Sequence, residues 1–543
     1  MKLSSHSIKI ILFLILLLAA FLRFYKLGQV PPSLEWDEVA IGYDAYSVLK
    51  TGRDQFGQFL PLTFRSIDDY KPPIYEYLAI PSIAIFGLNE FSVRFPSAIF
   101  GTLAVLLTYF LVREILGGQI ISLLATFFLA ISPWHLQFCR AAFEVNLSVT
   151  LLIGATLSFL TSLKKPTAFI LSSFLFGLGF FTYHSARVVF PLIFIFLLFN
   201  FRKSIPKGKI LKIGLAIYIV LSLTFLPIMF SKEAQMRLRV TNISNNLFLQ
   251  KTTLDKIQKD LKVDGRQEND FIYRIFHGKK AILLTTLFDN YFSHFSPDFL
   301  FVKADVPLHH APDFGLLYRF DAIFLLIGFV AYFSKYLNKK SLLLPVWFFL
   351  APLPAAVTLQ VPHAVRSELF LPTFQIFTAI GLYTVGSSIF QKSRGIFWLF
   401  LGASAIFLFY NFAVYLHQYY VHLPKEYAKF WLYGRKEAAE ISERLKSNYP
   451  KVIVSTKLEM PHLFWLFYTH YDPKRYLEEG GTLSGGWAEE GNKFDNYEFR
   501  KPSETKKEAA LYFTTLNEKF VDGRTVKEIR YPDGEVGILI WEY

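Results

Sequence analysis

Eleven apolar stretches, each separated from the next by a short polar or basic connection, constrain this chain more than any other feature. They lie near 8–26, 94–112, 119–137, 145–163, 167–183, 188–200, 210–230, 316–334, 341–360, 369–388 and 395–415. Crossing the hydrocarbon core takes about 20 helical residues, so all but the short stretch at 188–200 are long enough to span. With 53% hydrophobic and only 18% charged residues, the 543-residue chain is too apolar for soluble domains with ordinary surfaces. The expectation is an α-helical polytopic membrane protein with about 11 transmembrane helices. The 59 Phe and 29 Tyr suit helices facing lipid and rings at headgroup level.

The formal charge of +14 is spread as short clusters between apolar segments, not gathered in one stripe, which excludes a nucleic-acid footprint and marks topology instead. With the N-terminus and its Lys2 and Lys9 cytoplasmic, the short inner connections hold Arg113, Lys164, Lys165, Arg202, Lys203, Lys207, Lys209, Lys335, Lys339, Lys340, Lys392 and Arg394 against the single acid Glu114. The short outer connections hold only Arg140, Arg187 and Arg366, with Glu144 and Glu368. Counting "IYEYLAIPSIAIFGLNEF" (74–91) as a crossing would invert this pattern, and Pro81 interrupts its apolar core, so it reads as a juxtamembrane or half-inserted helix. The first segment has the basic end and apolar core of a signal peptide but no small-residue cleavage site, which points to an uncleaved first helix. The lone Cys139 forms no internal disulfide.

This topology divides the chain into a transmembrane domain, 1–415, with outer loops at 27–93 and 231–315, and an extracytoplasmic domain, 416–543. The tail begins with a helical pattern, "KEYAKFWLYGRKEAAEISERLKS", followed by the strand-like "KVIVST". It ends on "VKEIRYPDGEVGILIWEY", where Asp533-Gly534 reads as a hairpin turn. A small α/β domain follows. The localisation implied is the plasma (cell) membrane, multi-pass, with the N-terminus cytoplasmic and the large loops outside.

The apolar stretches are nearly free of ionisable groups, whereas an ion or proton pathway needs them at depth. Chemistry is therefore expected at the outer interface, on a substrate that is partly lipid. The first outer loop concentrates the chemically capable residues: Asp37-Glu38, Asp68-Asp69 and Lys71-Pro72-Pro73. The two prolines exclude helical geometry at the residue before each and aim Lys71 at headgroup height, where it would meet a lipid phosphate or simply snorkel at a helix end. Asp68 or Asp69 would pair with it. Arg140 and Glu144, four apart, would share a helical face as substrate ligands or as an ion pair. His184 with Arg187, and His363 with Arg366 and Glu368, complete a ring of groups around one outer cavity, with the arginines as phosphate ligands.

"EWDEVAIGYDA", "YKPPIYEYL", "SVRFPSAIFGTLAVLLTYFLVREILG" and the region of Glu144 resemble the polyprenyl-phosphate-dependent glycosyltransferases of the GT-C fold, notably the lipid A aminoarabinose transferases and protein O-mannosyltransferases. The resemblance covers roughly the first 200 residues, weakens over the later helices and is absent in the tail. It implies a donor sugar on undecaprenyl or dolichyl phosphate and an essential acid in the first outer loop, a position Asp37 matches. It also implies a functional Lys in the "KPP" setting, Lys71, and an acid near Glu144, where the family often has Asp. On this reading Asp37 is the general base, Glu38 orients the acceptor or raises the pKa of Asp37 as a like charge, and cations hold the departing phosphate. The expected reaction is an inverting single displacement onto a hydroxyl or amine of a lipid, glycan or protein acceptor.

Two alternatives bear on this reading. A lipid-linked sugar flippase or transporter would show inverted repeats and mid-membrane breaks, and neither stands out. A polymerase or ligase acting on oligosaccharide pyrophosphates is chemically close. No cofactor is assigned: DxD, HxxxH and phosphate-loop patterns are missing, "GGTLSGGWAEEG" lacks the Lys-Ser/Thr ending, and His294, His309 and His310 lack helical zinc spacing, although Asp37 and Glu38 could ligate a divalent cation. The aromatic segment from Asp289 to Asp321 is expected to act as a flexible lid over sugar and prenyl chain.

Overall fold

The computed structural model describes residues 4–66, 70–230, 247–265, 271–276, 278–485, 491–503 and 507–543. Asp68 and Asp69 lie outside them, as do parts of the long loop at 231–315.

Helices form where the apolar stretches were read, and local chemistry sets their ends. Helix α1 (Ser5–Phe24) starts on the Ser4 side chain, which accepts from the Ser7 amide. Helix α2 (Trp36–Thr51) carries Asp37, and helix α3 (Ile74–Phe86) follows the Pro72-Pro73 pair. Helix α4 (Glu90–Leu116) starts four residues before its apolar stretch, because Asn89 and Ser92 cap one another reciprocally; it stops where Gly117 takes the left-handed φ of 72°. The stretch at 119–137 is two helices, α5 (Gln119–Ile131) and α6 (Pro133–Cys139), bent by 55° at Ser132-Pro133. Helices α7 (Glu144–Ser162), α8 (Ala168–Leu178), α9 (Ala186–Asn200) and α10 (Lys209–Met229) follow.

Among the described residues six helices are long and apolar enough to cross a membrane, and the bent α5–α6 pair makes a seventh. The remaining stretches also contain helices, but shorter ones; that at 341–360 is divided into Leu343–Leu350 and Leu353–Ala356 by Pro352 and Pro354. This is a multi-pass membrane protein. Helices Arg319–Ala331 and Thr373–Lys392 touch backbone to backbone at two glycines. A Cβ on Gly328 would fall 1.8 Å from the Phe377 carbonyl oxygen, and one on Gly381 1.9 Å from that of Phe324. Small residues at such crossings let membrane helices approach closely.

The C-terminal segment holds a six-stranded sheet in the order β4-β5-β3-β6-β8-β7. Its strands are β3 (Val452–Val454), β4 (Lys493–Phe494), β5 (Tyr497–Phe499), β6 (Leu511–Thr514), β7 (Arg524–Arg530) and β8 (Val536–Glu542). Strand β3 runs parallel to both β5 and β6, and the other pairings are antiparallel. The β7–β8 hairpin turns at Asp533-Gly534, with Gly534 at φ 91°. The helical pattern at 425–447 yields a regular helix only over Arg435–Leu445, because Gly434 takes the left-handed φ of 91° just before it.

One sheet face packs on helices Arg435–Leu445 and Pro461–Tyr468, and this core continues into Val39, Ile41 and Tyr43 of α2, Ala79 of α3 and Val93 of α4. A Cβ on Gly42 would meet Phe467 at 2.5 Å and Val93 at 2.8 Å, so α2 is clamped between the tail and the helical bundle. The Tyr43 hydroxyl donates to the Tyr471 carbonyl, which ties the same contact.

Candidate active site

The first turn of α2 is built by its own carboxylates. Glu35 accepts from the Glu38 amide at 3.0 Å, and Glu38 accepts from the Glu35 amide at 3.3 Å, a reciprocal cap that leaves Asp37 between them pointing outward, 40% exposed. Lys71 approaches from the strand β2 (Tyr70–Lys71), paired with β1 (Phe64–Arg65) and followed by the two prolines. Its Nζ lies 3.0 Å from Asp37 Oδ1 and 3.3 Å from Glu144 Oε1, with its side chain only 7% exposed. Burial opposes the Lys71 charge, but Asp37 and Glu144 outweigh it and raise the pKa above that of a free lysine.

These groups open onto a cavity of about 260 Å³. Asp37, Glu35 and Lys71 form one side; Glu144, Tyr183 and His184 continue it; His309, His363 and Arg366 face it from the later loops. Of the residues singled out from the sequence, seven (Asp37, Lys71, Glu144, His184, His309, His363 and Arg366) therefore share one wall system. Arg366 is steadied by donating to Thr358 Oγ1 at 2.8 Å and to the Leu359 carbonyl at 2.5 Å. Arg187 stands behind the cavity. It donates to His184 Nδ1 at 2.6 Å and to the Phe180 carbonyl, with its guanidinium over the Phe225 ring. An arginine has only donors, so Nδ1 of His184 accepts and Nε2 carries the proton. Burial, then the charges of Arg187, Lys71 and Arg366, hold the His184 pKa well below that of a free histidine.

Glu38 and Arg140 sit elsewhere. The Arg94 guanidinium grips Glu38 bidentately, both contacts at 2.8 Å, with both side chains fully buried, and the Ala142 amide donates to Glu38 Oε1 at 2.9 Å. Arg94 also donates to the carbonyls of Leu27, Pro31 and Ser33. The pair thus staples the chain after α1, α2, α4 and the turn before α7 at a single point. Arg140 makes no ion pair with Glu144, which is engaged by Lys71. It donates instead to the carbonyls of Leu22, Arg23 and Val30 and to Tyr419, satisfying carbonyls at the end of α1 that have no helical partner. Glu368 is fully buried outside the cavity wall. Asp37 and Glu38, read as a ligand pair for a divalent cation, each already face a side-chain cation, Lys71 and Arg94.

The aromatic segment expected as a flexible lid is packed. Phe299, Leu300, Ala311 and Leu316 belong to the main core, the Leu317 amide bonds the Leu300 carbonyl, and a Cβ on Gly315 would strike the Phe301 backbone at 2.5 Å. Val306, Leu308 and His309 of this segment form cavity wall. Within it, Asp305 Oδ2 lies 2.7 Å from His309 Nδ1 and accepts from the Ala364 amide at 2.8 Å. Glu35 and Tyr183 are wall residues that sequence reasoning missed. The signal for Glu35 was present in the Glu35-x-x-Glu38 spacing of a helix cap.

The site is thus a carboxylate-and-lysine cavity beside α2, at the edge of a bundle of apolar helices. The crystal structure of ArnT from Cupriavidus metallidurans bound to undecaprenyl phosphate superposes with a TM-score of 0.55 over 99% of this chain and 98% of that one, at 9% identity, so the likeness is one of fold. The archaeal oligosaccharyltransferase AglB from Archaeoglobus fulgidus, in complex with an inhibitory peptide and a dolichol-phosphate, gives 0.50 over 86% and 64%, at 14% identity. In sequence, residues 70–228 match the family model described as dolichyl-phosphate-mannose-protein mannosyltransferase. Two Bacillus subtilis (strain 168) proteins are similar: putative mannosyltransferase YkcB, 26% identical over 46% of this chain and 35% of its own length, and putative mannosyltransferase YycA, 30% identical over 40% and 31%. The chain thus spans about a third of the length of the curated relatives it matches.

Proposed function

We propose that the protein transfers a sugar from a polyprenyl-phosphate carrier to a hydroxyl or amine on the outer face of the membrane, by an inverting single displacement. The observation that carries this reading is the Asp37–Lys71–Glu144 contact in the cavity wall, with Arg366 on the same cavity. Lys71 and Arg366 suit the oxygens of a lipid phosphate, and Asp37 is the wall carboxylate with the greatest freedom to reach a second substrate.

The chemistry follows from the contacts. A carrier phosphate entering the cavity competes with Asp37 for Lys71, which releases the carboxylate. The acceptor oxygen or nitrogen then forms a bond to the anomeric carbon while the bond from that carbon to the phosphate oxygen breaks. The electron pair leaves with the phosphate, neutralised by Lys71 and Arg366, and the acceptor proton passes to Asp37. General-base assistance of this kind contributes typically about 10² to 10⁴ in rate. Glu144 holds the other side of Lys71 and keeps it aimed. Arg187 fixes the ring and tautomer of His184 and so shapes the wall without touching substrate. In this reading all eleven apolar stretches serve as spans or part-spans, the loops at 27–93 and 231–315 are extracytoplasmic, and the segment from 416 onward is an outer domain that braces α2 and bounds the acceptor's approach. The acceptor class is a lipid, glycan or protein.

The test is to incubate purified protein with polyprenyl-phosphate mannose labelled in the sugar, together with bacterial membranes as the source of acceptor. Label moving into a new product, with free polyprenyl phosphate accumulating in step, supports the reading. Movement of intact carrier lipid across proteoliposomes without bond cleavage would overturn it in favour of a flippase.

A further inference from the structure

The loops that face Asp37 and Lys71 across the cavity hold a second constellation, made by Asp305, His309 and His363. Each offers one ligand atom, and the three atoms lie within 4.8 Å of one another. Asp305 and His309 are four residues apart on one loop, whereas His363 precedes the short helix Ala364–Ser367. The loops are locked together because the Ala364 amide donates to Asp305 Oδ2, and the His309 and His363 rings pack with centroids 5.0 Å apart. Side-chain exposure is 6% for Asp305, 7% for His309 and 14% for His363.

A loop staple alone would account for the Asp305–His309 hydrogen bond. It does not account for two further atoms. Asp305 Oδ1 and His363 Nδ1 are buried without a hydrogen-bond partner, and His363 Nδ1 lies 3.9 Å from Asp305 Oδ2. A buried lone pair without a donor costs about 1–3 kcal/mol, and two on adjoining side chains in a cavity wall call for a common partner. Of the nearby groups, one Nη of Arg366 is engaged by Thr358 and Leu359, and His294 Nε2 accepts from the His363 amide.

The geometry points to a divalent transition-metal site, with Zn²⁺ as the fitting ion, formed by Asp305, His309 and His363 on the cavity wall opposite Asp37 and Lys71. Two imidazoles and one carboxylate are a standard zinc donor set. Ligand atoms about 2.0–2.2 Å from the ion stand roughly 3.4 Å apart in a tetrahedron, so Asp305 Oδ2, 2.7 Å from His309 Nδ1 and 3.9 Å from His363 Nδ1, needs side-chain shifts of only roughly 0.5–0.7 Å relative to these two nitrogens to take an ion. Imidazole nitrogen disfavours magnesium and calcium, which prefer oxygen. The fourth position faces the cavity, because His309 and His363 are wall residues. Resting on the transferase reading above, that position takes a phosphate oxygen of the carrier, so the ion and Lys71 hold the phosphate from two sides.

The test separates the metal from the reaction. Full-length protein in detergent is stripped with chelator, dialysed, and titrated with ZnCl₂ by calorimetry; CoCl₂ is added to a second sample for visible absorption. The expected result is one equivalent of Zn²⁺ per chain and the intense d–d bands of a four-coordinate Co²⁺ site. His363→Ala is the informative variant, since Nδ1 has no hydrogen bond to lose; it should weaken Zn²⁺ at least 100-fold. His309→Gln should do the same and stands in if the first variant does not fold. Zn²⁺ binding in wild type no stronger than in these variants, or cobalt bands unchanged by them, would overturn the site. Stoichiometric zinc with no sugar transfer would keep the site while removing the transferase reading.

Discussion

Two carboxylates adjacent in sequence should respond to the same isosteric change in opposite ways. Glu38 is fully buried, held by two 2.8 Å contacts to Arg94 and one 2.9 Å contact to the Ala142 amide. In Glu38→Gln, one amide oxygen replaces two carboxylate oxygens, and the new NH₂ faces a guanidinium that can only donate. Arg94 keeps its carbonyl acceptors at Leu27, Pro31 and Ser33 but loses its counter-charge in a site without solvent. Breaking a buried pair by removing one charge costs about 3–5 kcal/mol. Thermal or denaturant unfolding followed by tryptophan fluorescence should therefore show a loss of this size, and Arg94→Gln should show a similar one. The double variant should lose less than the sum of the two, because the second change removes a charge already stranded. Wild-type stability in Glu38→Gln, accompanied by abolished turnover, would refute the staple and return Glu38 to the chemistry.

Glu35 gives a pH signature. Burial, then Asp37 and Glu38, raise its pKa well above the usual 4.5, so folding favours the protonated form. Stability from this group is fully present below the unfolded pKa of about 4.5 and declines as pH climbs from there through the raised folded value. Glu35→Gln keeps the acceptor for the Glu38 amide, should be more stable than wild type at pH 7, and should match it near pH 4; equal unfolding midpoints at both pH values would contradict this. At the helix crossing, Gly381→Ala puts a Cβ 1.9 Å from the Phe324 carbonyl oxygen and should cost about 1–3 kcal/mol or more, whereas Gly154→Ala meets only side-chain carbons at 3.5 Å and should be near neutral in the same unfolding assay.

The sequence was readable where the cause is local. Apolar stretches marked the positions of the helices, and Pro72-Pro73 implied non-helical backbone at Lys71, which lies in β2 just before α3. Asp533-Gly534 closed its hairpin for the same reason. Partner choice was less readable. Arg140 and Glu144 have ideal helical spacing, yet α7 begins at Glu144, so the two never share a helix, and tertiary partners claim each. Glu38 and Asp37 look equivalent in the chain, but the cap on Glu35 turns one inward and the other outward. The Asp305–His309–His363 cluster joins two distant loops, and no spacing rule within either loop announces it.

The account stands on Asp37 acting as the base that takes the acceptor's proton. The most direct measurement is the rate of sugar release from labelled polyprenyl-phosphate mannose by Asp37→Asn beside wild type, with unfolding midpoints recorded on the same preparations. A fall in rate of at least about 10² with an unchanged midpoint is the predicted result. Turnover at the wild-type rate in that variant would contradict it.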